Sequence, residues 1–549
     1  MADKEKIKHA LGKLPWVSEA WWAVRGKKKP WSSHFKLEGL RGVLTGAVTD
    51  VRQLAMQNGH PKKVLVFASL HYWIEQAGLI ALALAGQGHK VALGYLPYAD
   101  WDKPINDFDL RRQAVYAKEA LKPAEEVMKV ACLTDAAVKR GKLLGLPEET
   151  ADIIEHVSRY DVMYTRQIET VDPEDPLYLL RMERNAKAAL ALYRWFSQES
   201  PDVVIVPNGT ILEMGVAYAM ARVMGIRAVT FEFADQRERI WLAQDSEIMT
   251  HDTTALWSAL GNRPLPERAR EKLVELFSAR KKAITWGEFA RQWQASPQRG
   301  SNVVREALGL DERPLALLAT NVLGDSLTLG RQKISASMAE WVVKTIDWFR
   351  KRPDLQLVAR IHPGELITHG TSMVEVIEEQ FGGLPENIHV IKPGEKVNTY
   401  DLVDLADFGL VFTTTVGLEM AMAGLPVMVA GKTHYANKGF TLDPQDWEEY
   451  QDMLEKVASD PVGARLSKAQ VEQAWMYAYL FFFEFSLPFP WHLLWLADDF
   501  KARPMRYVLN HQGQEKYAKT FGYLVGEPLN WQERGLARLN EQAEVTNAD

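Results

Sequence analysis

Three stretches in the second half of the chain pair side chains that handle charge with a spacing that brings them to one edge. Arg360 and His362-Pro363 close the apolar run Leu357–Ile361, Lys392-Pro393 closes Ile388–Ile391, and Phe408–Phe412 runs into Thr413-Thr414-Thr415. A histidine donates a hydrogen bond or a proton, and a lysine supplies a point charge. Threonines at a helix start add hydroxyl donors beside backbone N–H groups that have no partner within the helix. Such a set suits a phosphate that gains negative charge as it leaves an activated donor. Each feature also has a plainer reading, Thr415 as an ordinary helix cap and His362 as a loop histidine.

The runs that carry these groups are continuously apolar and stopped by prolines, the pattern of strands buried on both faces of a parallel sheet. Val416, Leu418, Met420, Ala421 and Ala423 predict a helix ending at Gly424, and Pro426–Ala430 predicts a further strand. Ligands on such sheets bind at the carboxyl ends of the strands, where all three groups fall. Leu315–Ala319 predicts the first strand of this domain; it opens on Thr320-Asn321, with Asp325 close behind and Arg331 and Lys333 as further cations for a phosphate. Glu419 stands one turn into the helix, positioned to accept hydrogen bonds from ribose hydroxyls or else a solvent-facing carboxylate. Tyr435 and Thr441 are candidates to line the same pocket, and Gly431 and Gly439 let backbone approach a ligand.

The first half repeats the strand–helix–strand pattern. Lys63–Ala68 predicts a strand, a loop with His71 and Glu75 follows, then a helix through Ile80–Ala85 and a strand at Val91–Tyr95. Residues 105–200 read as mostly helical. Val203–Val206 then opens on Asn208-Gly209-Thr210, a helix runs from Leu212 to Met224, and a strand at Ala228–Phe231 delivers Glu232 at its carboxyl end. A carboxylate there is a candidate general base for an acceptor hydroxyl if its pKa is moved toward neutrality. Glu75 is the second candidate, and an ion pair with Arg237 or Arg239 is the plainer role for Glu232.

The order R-x-H-P, K-P-x-x-x-x-N, a threonine turn followed by V-G-L-E, then G-x-P-V and G-x-x-x-Y-x-x-x-G-x-T resembles the capsule polysaccharide biosynthesis glycosyltransferases. These are GT-B enzymes related to bacterial Kdo transferases and to sialyl- and polysialyltransferases, which hold the nucleotide phosphate with an HP motif and a Ser/Thr motif. The matching residues are Arg360, His362, Pro363, Lys392, Thr413, Thr414, Thr415, Gly417, Glu419, Pro426, Gly431, Tyr435, Gly439 and Thr441, with Asn321 and Asp325 resembling the family's N-x-x-x-D segment. The resemblance implies an α/β protein of two Rossmann-like parallel-sheet domains facing a cleft, with a C-terminal helix crossing back to the first. It also puts His71, Asn208 and Gly209 on the acceptor side. The activity implied is metal-independent transfer from a nucleotide sugar, a CMP-linked donor included, to a glycan or lipid-linked glycan of a surface polysaccharide, with no cofactor beyond the donor. A nucleotide-sugar epimerase, an alditol-phosphate transferase and a non-catalytic nucleotide-binding subunit stay open beside it.

At 549 residues the chain is long enough for two cores, and 47% hydrophobic with 25% charged residues is ordinary for a globular protein. The expected division is an extension at 1–60, a first domain at 61–255, a helical linker at 256–310, a second domain at 311–470 and an aromatic crossing segment with tail at 471–549. A net charge of −6 gives no footprint for nucleic acid. The lone Cys132 excludes an intramolecular disulfide and a cysteine zinc cluster, and fits a reducing cytoplasm. The opening MADKEKIKHALGK lacks the apolar core of a signal peptide. No metal site is expected: Asp172-Pro173-Glu174-Asp175 and Asp498-Asp499 stand away from strand ends.

Two aromatic stretches have two readings each. Trp16, Trp21, Trp22 and Trp31 lie among Lys8, Lys13, Arg25 and Lys27–Lys29, which suits either an arm packed on the body or peripheral contact with the inner face of the plasma membrane. Trp475–Trp491 is broken by Glu484, Pro488 and Pro490 and is too short to span a bilayer. Burial is the favoured reading there, and docking beside a lipid-linked acceptor the alternative.

Overall fold

The structure, a computed structural model, describes residues 7–8, 10–12, 14, 16–26, 35–134, 145–287, 289, 294, 296–368 and 370–533. Of the residues singled out above, Lys13, Lys27–Lys29, Trp31 and the tail from 534 lie outside the described residues. The chain divides into two compact units. One comprises Met1–Asp161, Asp172–Met249 and Leu487–Leu529; the other comprises Val162–Val171, Thr250–Ser486 and Asn530–Asp549.

The first unit is built on β1 (Lys63–Ser69), β2 (Lys90–Leu96), β3 (Lys129–Cys132), β4 (Val203–Pro207), β5 (Arg227–Phe233) and β6 (Arg239–Gln244). Its sheet runs β12-β6-β5-β4-β1-β2-β3, where β12 is Leu487–Pro488. Strands β1 to β5 are parallel, and β6 and β12 are antiparallel additions at one edge. Helices α1 (Glu38–Leu54), α2 (His71–Gly86), α3 (Pro176–Glu199) and α4 (Leu212–Val223) belong to this unit. Helix α2 is apolar almost all round, and it is buried almost all round, from Gln76 to Gly86 without a break.

The second unit is built on β7 (Leu315–Ala319), β8 (Gln356–Arg360), β9 (Ile388–Ile391), β10 (Phe408–Val411) and β11 (Val427–Val429). All are parallel, in the order β11-β10-β7-β8-β9. Its helices include α5 (Glu267–Lys281), α6 (Met338–Arg350), α7 (Thr399–Leu405), α8 (Val416–Met422) and α9 (Lys468–Tyr479). The core packs Trp341, Ile346 and Phe349 of α6 against Leu357 and Ala359 of β8 and Phe408, Leu410 and Phe412 at β10.

The parallel cores of the two units have one strand order. In each, the first strand lies at the centre, the second and third follow on one side, and the fourth and fifth on the other. Such a sheet has a switch point between its first and fourth strands, where connections leave in opposite directions and open a crevice at the carboxyl ends. The switch points here are β1/β4 and β7/β10.

The unit boundaries differ from the expected division. Residues expected to form a linker, 256–310, include α5, which packs on α9 inside the second unit. The chain returns to the first unit only at Leu487, because Phe481, Phe482 and Phe483 contact His434, Phe277 and Trp286 of the second. Phe489 and Trp491 contact Phe521 and Phe500 of the first. The aromatic segment is thus core: Trp491 is fully buried, and Phe481 to Phe483 nearly so. Among the described residues no helix is long and apolar enough to cross a membrane.

Candidate functional site

At the second switch point, the two residues that leave β7 hold the neighbouring strand ends on either side. The Thr320 hydroxyl accepts from the His362 N–H at 3.0 Å. Asn321 Oδ1 accepts from both the Thr413 N–H, at 3.2 Å, and the Thr413 hydroxyl, at 3.1 Å. Thr413 Oγ1 also lies 3.0 Å from the Leu327 carbonyl, and the Thr413 and Thr414 carbonyls accept from Thr433 Oγ1 and the Tyr435 hydroxyl at 3.2 and 2.6 Å. Strand ends of β7, β8 and β10 and the loop after β11 are therefore clasped by side chains. Glycine is required at 417 and 431: a Cβ would stand 2.4 Å from the Tyr435 hydroxyl at the first, and 2.9 Å from Thr413 Cγ2 at the second.

That clasp uses Thr413 and leaves the two threonines after it. Among the described residues neither the Thr414 nor the Thr415 hydroxyl makes a side-chain hydrogen bond, and Thr415, at the N-cap of α8, does not cap it through its side chain. The plain capping role is thus unfilled. Helix α8 has only seven residues. Any anion at this turn would rely on the hydroxyls and local N–H groups more than on a long helix dipole.

His362 is exposed, and its Nδ1 accepts from the Gly364 N–H at 3.0 Å, so the neutral ring carries its proton on Nε2. A Cβ at residue 364 would stand 2.8 Å from that Nδ1, which ties the glycine after Pro363 to the tautomer. Pro363 opens a short 3-10 turn that His362 caps.

Other members of the predicted set have different partners. Arg360 is buried and donates to the Lys392 carbonyl at 2.8 Å, and burial pulls its pKa down. Lys392 is exposed, with its ammonium 3.0 Å from Glu378. Glu419, expected at a ribose, is paired with Arg280 at 2.6 Å and bonded to Tyr400, and burial pushes its pKa up against the pull of that arginine. The sequence reading differs here because Arg280 is 139 positions away, with no local signal to announce it. Asp325 accepts from Ser326 at 3.2 Å, and Arg331 donates to Thr250 at 3.2 Å. Lys333 donates to the Asp443 carbonyl at 3.2 Å, while Thr441 donates to the Asp443 carboxylate at 2.8 Å.

The first switch point has another character. The chain leaves β1 through Leu70, with φ 65°, and β4 through Asn208 and Gly209, with φ 57° and 85°. Positive φ in a leucine is strained backbone of the kind that gathers at functional sites. Gly209 is obligatory, since a Cβ would meet Thr230 Cγ2 at 2.4 Å. Asn208 Nδ2 lies 3.4 Å from Glu232 Oε2, and the Phe233 N–H donates to Glu232 Oε1 at 3.2 Å. Glu232 is buried at the end of β5, and that burial pushes its carboxyl up to about 7 against those two weak donors. Neither Arg237 nor Arg239 contributes to this shift; Arg237 stands 3.9 Å from Asp499 and over the Trp495 ring.

His71 begins α2 and packs edge-on to Tyr72. Glu75 is committed elsewhere: its Oε1 accepts from the Leu40 N–H at 3.0 Å, capping α1, whose own N-cap Leu37 has no side chain for the task. Sequence reading missed a buried charge cluster beside this switch point, in which Arg181 of α3 binds Asp161 and, at 2.9 Å, Glu213 of α4. Arg181 and Arg184, one turn apart in a helix rich in Leu and Ala, were its available signal.

No protein-family model and no curated protein matches the chain. Among solved structures it is similar to KpsC of Thermosulfurimonas dismutans, a beta Kdo 2,4 transferase, at 16% identity over 51% of this chain and 79% of that one, TM-score 0.34. It is also similar to a UDP-GlcNAc 2-epimerase from Neisseria meningitidis bound to UDP-GlcNAc, at 13% identity over 76% and 99%, TM-score 0.24. A third is CalG4, the calicheamicin glycosyltransferase, at 15% identity over 82% and 98%, TM-score 0.25. Similarity this distant assigns no activity.

Proposed function

We propose that the chain is a GT-B glycosyltransferase that takes its sugar from a nucleotide-activated donor and holds the donor's phosphate at the β7/β10 switch point. The observation that carries this reading is the uncommitted pair of hydroxyls, Thr414 and Thr415, on a turn clasped through Asn321 to the same β7 loop that binds the His362 backbone. Hydroxyl donors and an Nε2–H fixed in advance stabilise negative charge on a leaving phosphate without reorganising as it forms. Glu232 is the acceptor-side base: a carboxyl near pH 7 is largely ionised at slightly alkaline pH yet basic enough to take a hydroxyl proton. The acceptor in this reading is a glycan or lipid-linked glycan of a surface polysaccharide at the cytoplasmic face of the membrane. Neither a metal nor a resident cofactor is required.

The test is incubation with CMP-, UDP- and GDP-linked sugars, with and without oligosaccharide acceptors, followed by chromatography of the free nucleotide and the sugar. Acceptor-dependent nucleotide release that persists in excess EDTA supports the reading. Epimerised nucleotide sugar formed without an acceptor would assign the chain to the epimerases instead. Loss of release in EDTA, restored by magnesium or manganese, would contradict the metal-free account.

A further inference from the structure

A cavity of about 500 Å³ lies within the second unit, among helices. Its walls come from α5, the 297–298 segment, α7, α8 and α9, and it contains no residue of the threonine turn or the His362 loop. The volume is in the range of pockets that hold a compact organic molecule.

Phe277, Val403, Met422 and Trp475 form an apolar wall, and the Tyr400 ring joins them. Glu419 reaches the lining with its charge already met by Arg280, itself buried over the Phe277 and Phe482 rings. The other lining carboxylate, Asp404, accepts from Gln298 Nε2 at 2.9 Å. Two lysines complete the lining. Lys281 is half-buried with Nζ 5.8 Å from the Tyr400 ring centre, and Lys282 is exposed. Among the described residues neither ammonium has a carboxylate partner at ion-pair distance. The cavity thus pairs an aromatic interior with two available positive charges, while both of its carboxylates are engaged.

We infer that this cavity binds a small ring-bearing organic anion, its apolar body between Phe277, Tyr400 and Trp475 and its carboxylate, sulfonate or phosphate at Lys281 and Lys282. Rings pack edge-to-face or offset on aromatic walls, and a partly desolvated anion gains from two cations that no internal partner competes for. The site is separate from the proposed glycosyl transfer and does not depend on it.

Fluorescence titration of the full chain with anilinonaphthalene sulfonate tests the inference, with naphthoate and its uncharged analogue naphthalenemethanol as competitors. Wild type is expected to bind the dye saturably at one site, with naphthoate displacing it about five-fold better than the alcohol, the worth of a partly exposed ion pair. A Lys281→Ala/Lys282→Ala variant should erase that preference while still binding the dye. Ala423→Trp should fill the cavity from the end of α8, and Val274→Trp from α5, both exposed lining positions, each weakening the dye at least about tenfold. Circular dichroism and melting temperature identify any variant that has lost its fold, and the two tryptophan variants check each other. Absence of saturable binding by wild type, equal displacement by acid and alcohol, or undiminished binding in both folded tryptophan variants would overturn the inference.

Discussion

The two parallel cores have the same strand order but finish their switch points differently. In the first unit, β1 and β4 lead into non-glycine residues with positive φ, Leu70 and Asn208, and the adjoining β5 carries at its end a buried carboxyl met, among the described residues, by an amide side chain and one backbone N–H. In the second, the Thr320 hydroxyl and the Asn321 amide after β7 accept from the His362 N–H after β8 and from the Thr413 N–H and hydroxyl after β10. Burial with few donors favours a neutral acid and raises its pKa, whereas a lattice of hydroxyls and N–H groups suits an anion. In the function proposed above, one topology offers a proton acceptor at one switch point and an anion cradle at the other. The chemistry is set by a few residues just beyond the strands, not by the fold.

The largest effect that would sharpen this contrast is expected at Glu232. Glu232→Gln should lower turnover about 10²- to 10⁴-fold, the usual worth of a general base, with nucleotide affinity unchanged. Wild-type turnover should rise with pH through about 7 as the carboxyl ionises, and the variant should lose that limb. Stability supplies an independent sign. Because the folded pKa lies above the unfolded one, the native state holds an extra proton between them, so wild-type stability falls as pH rises through that window. The melting temperature of Glu232→Gln should gain on wild type between pH 5 and pH 8; a constant gap would mean that Glu232 is ionised throughout.

The next effect belongs to the second switch point. His362→Ala, and a Thr414→Ala/Thr415→Ala double change, should each cost about 2–4 kcal/mol of transition-state stabilisation, read from kcat/KM, with melting temperature little altered. If both variants turn over like wild type, the anion-cradle half of the contrast is wrong. A smaller effect, on stability, is expected at Asn321. Asn321→Ala strands the buried Thr413 N–H and should cost about 1–3 kcal/mol in denaturant unfolding. Tyr435→Phe gives the smallest, about 0.5–1.5 kcal/mol for the bond to the Thr414 carbonyl.

Much of this scaffold was legible in the sequence. Continuous apolar runs ended by His362-Pro363 and Lys392-Pro393 marked β8 and β9, and Leu315–Ala319 and Ile388–Ile391 match the observed strands. Strand β3 escaped notice because Lys129–Cys132 is a short, half-buried edge strand between helical segments. The antiparallel β6 and the two-residue β12 have no parallel-sheet signature to read. At the site, sequence pattern located Thr413–Thr415, His362 and Glu232 at strand ends. It did not distinguish side chains aimed at a ligand from those serving the fold. Glu75 caps a helix begun 37 positions earlier in the chain at Glu38, Glu419 meets Arg280, and Arg360 binds a backbone carbonyl. Such pairings depend on tertiary contact, for which local periodicity carries no information.

The central claim is that the β7/β10 switch point binds a nucleotide phosphate. It is tested most directly by thermal unfolding of wild type and of Thr414→Ala/Thr415→Ala across a series of CMP, CDP, UDP and GDP. One nucleotide at a hundred times its Kd should add about 2.7 kcal/mol to wild type, with a correspondingly higher melting temperature. The double variant, melting normally without ligand, should show little of that gain. No shift of wild type with any of the four, or an equal shift in the variant, would contradict the assignment.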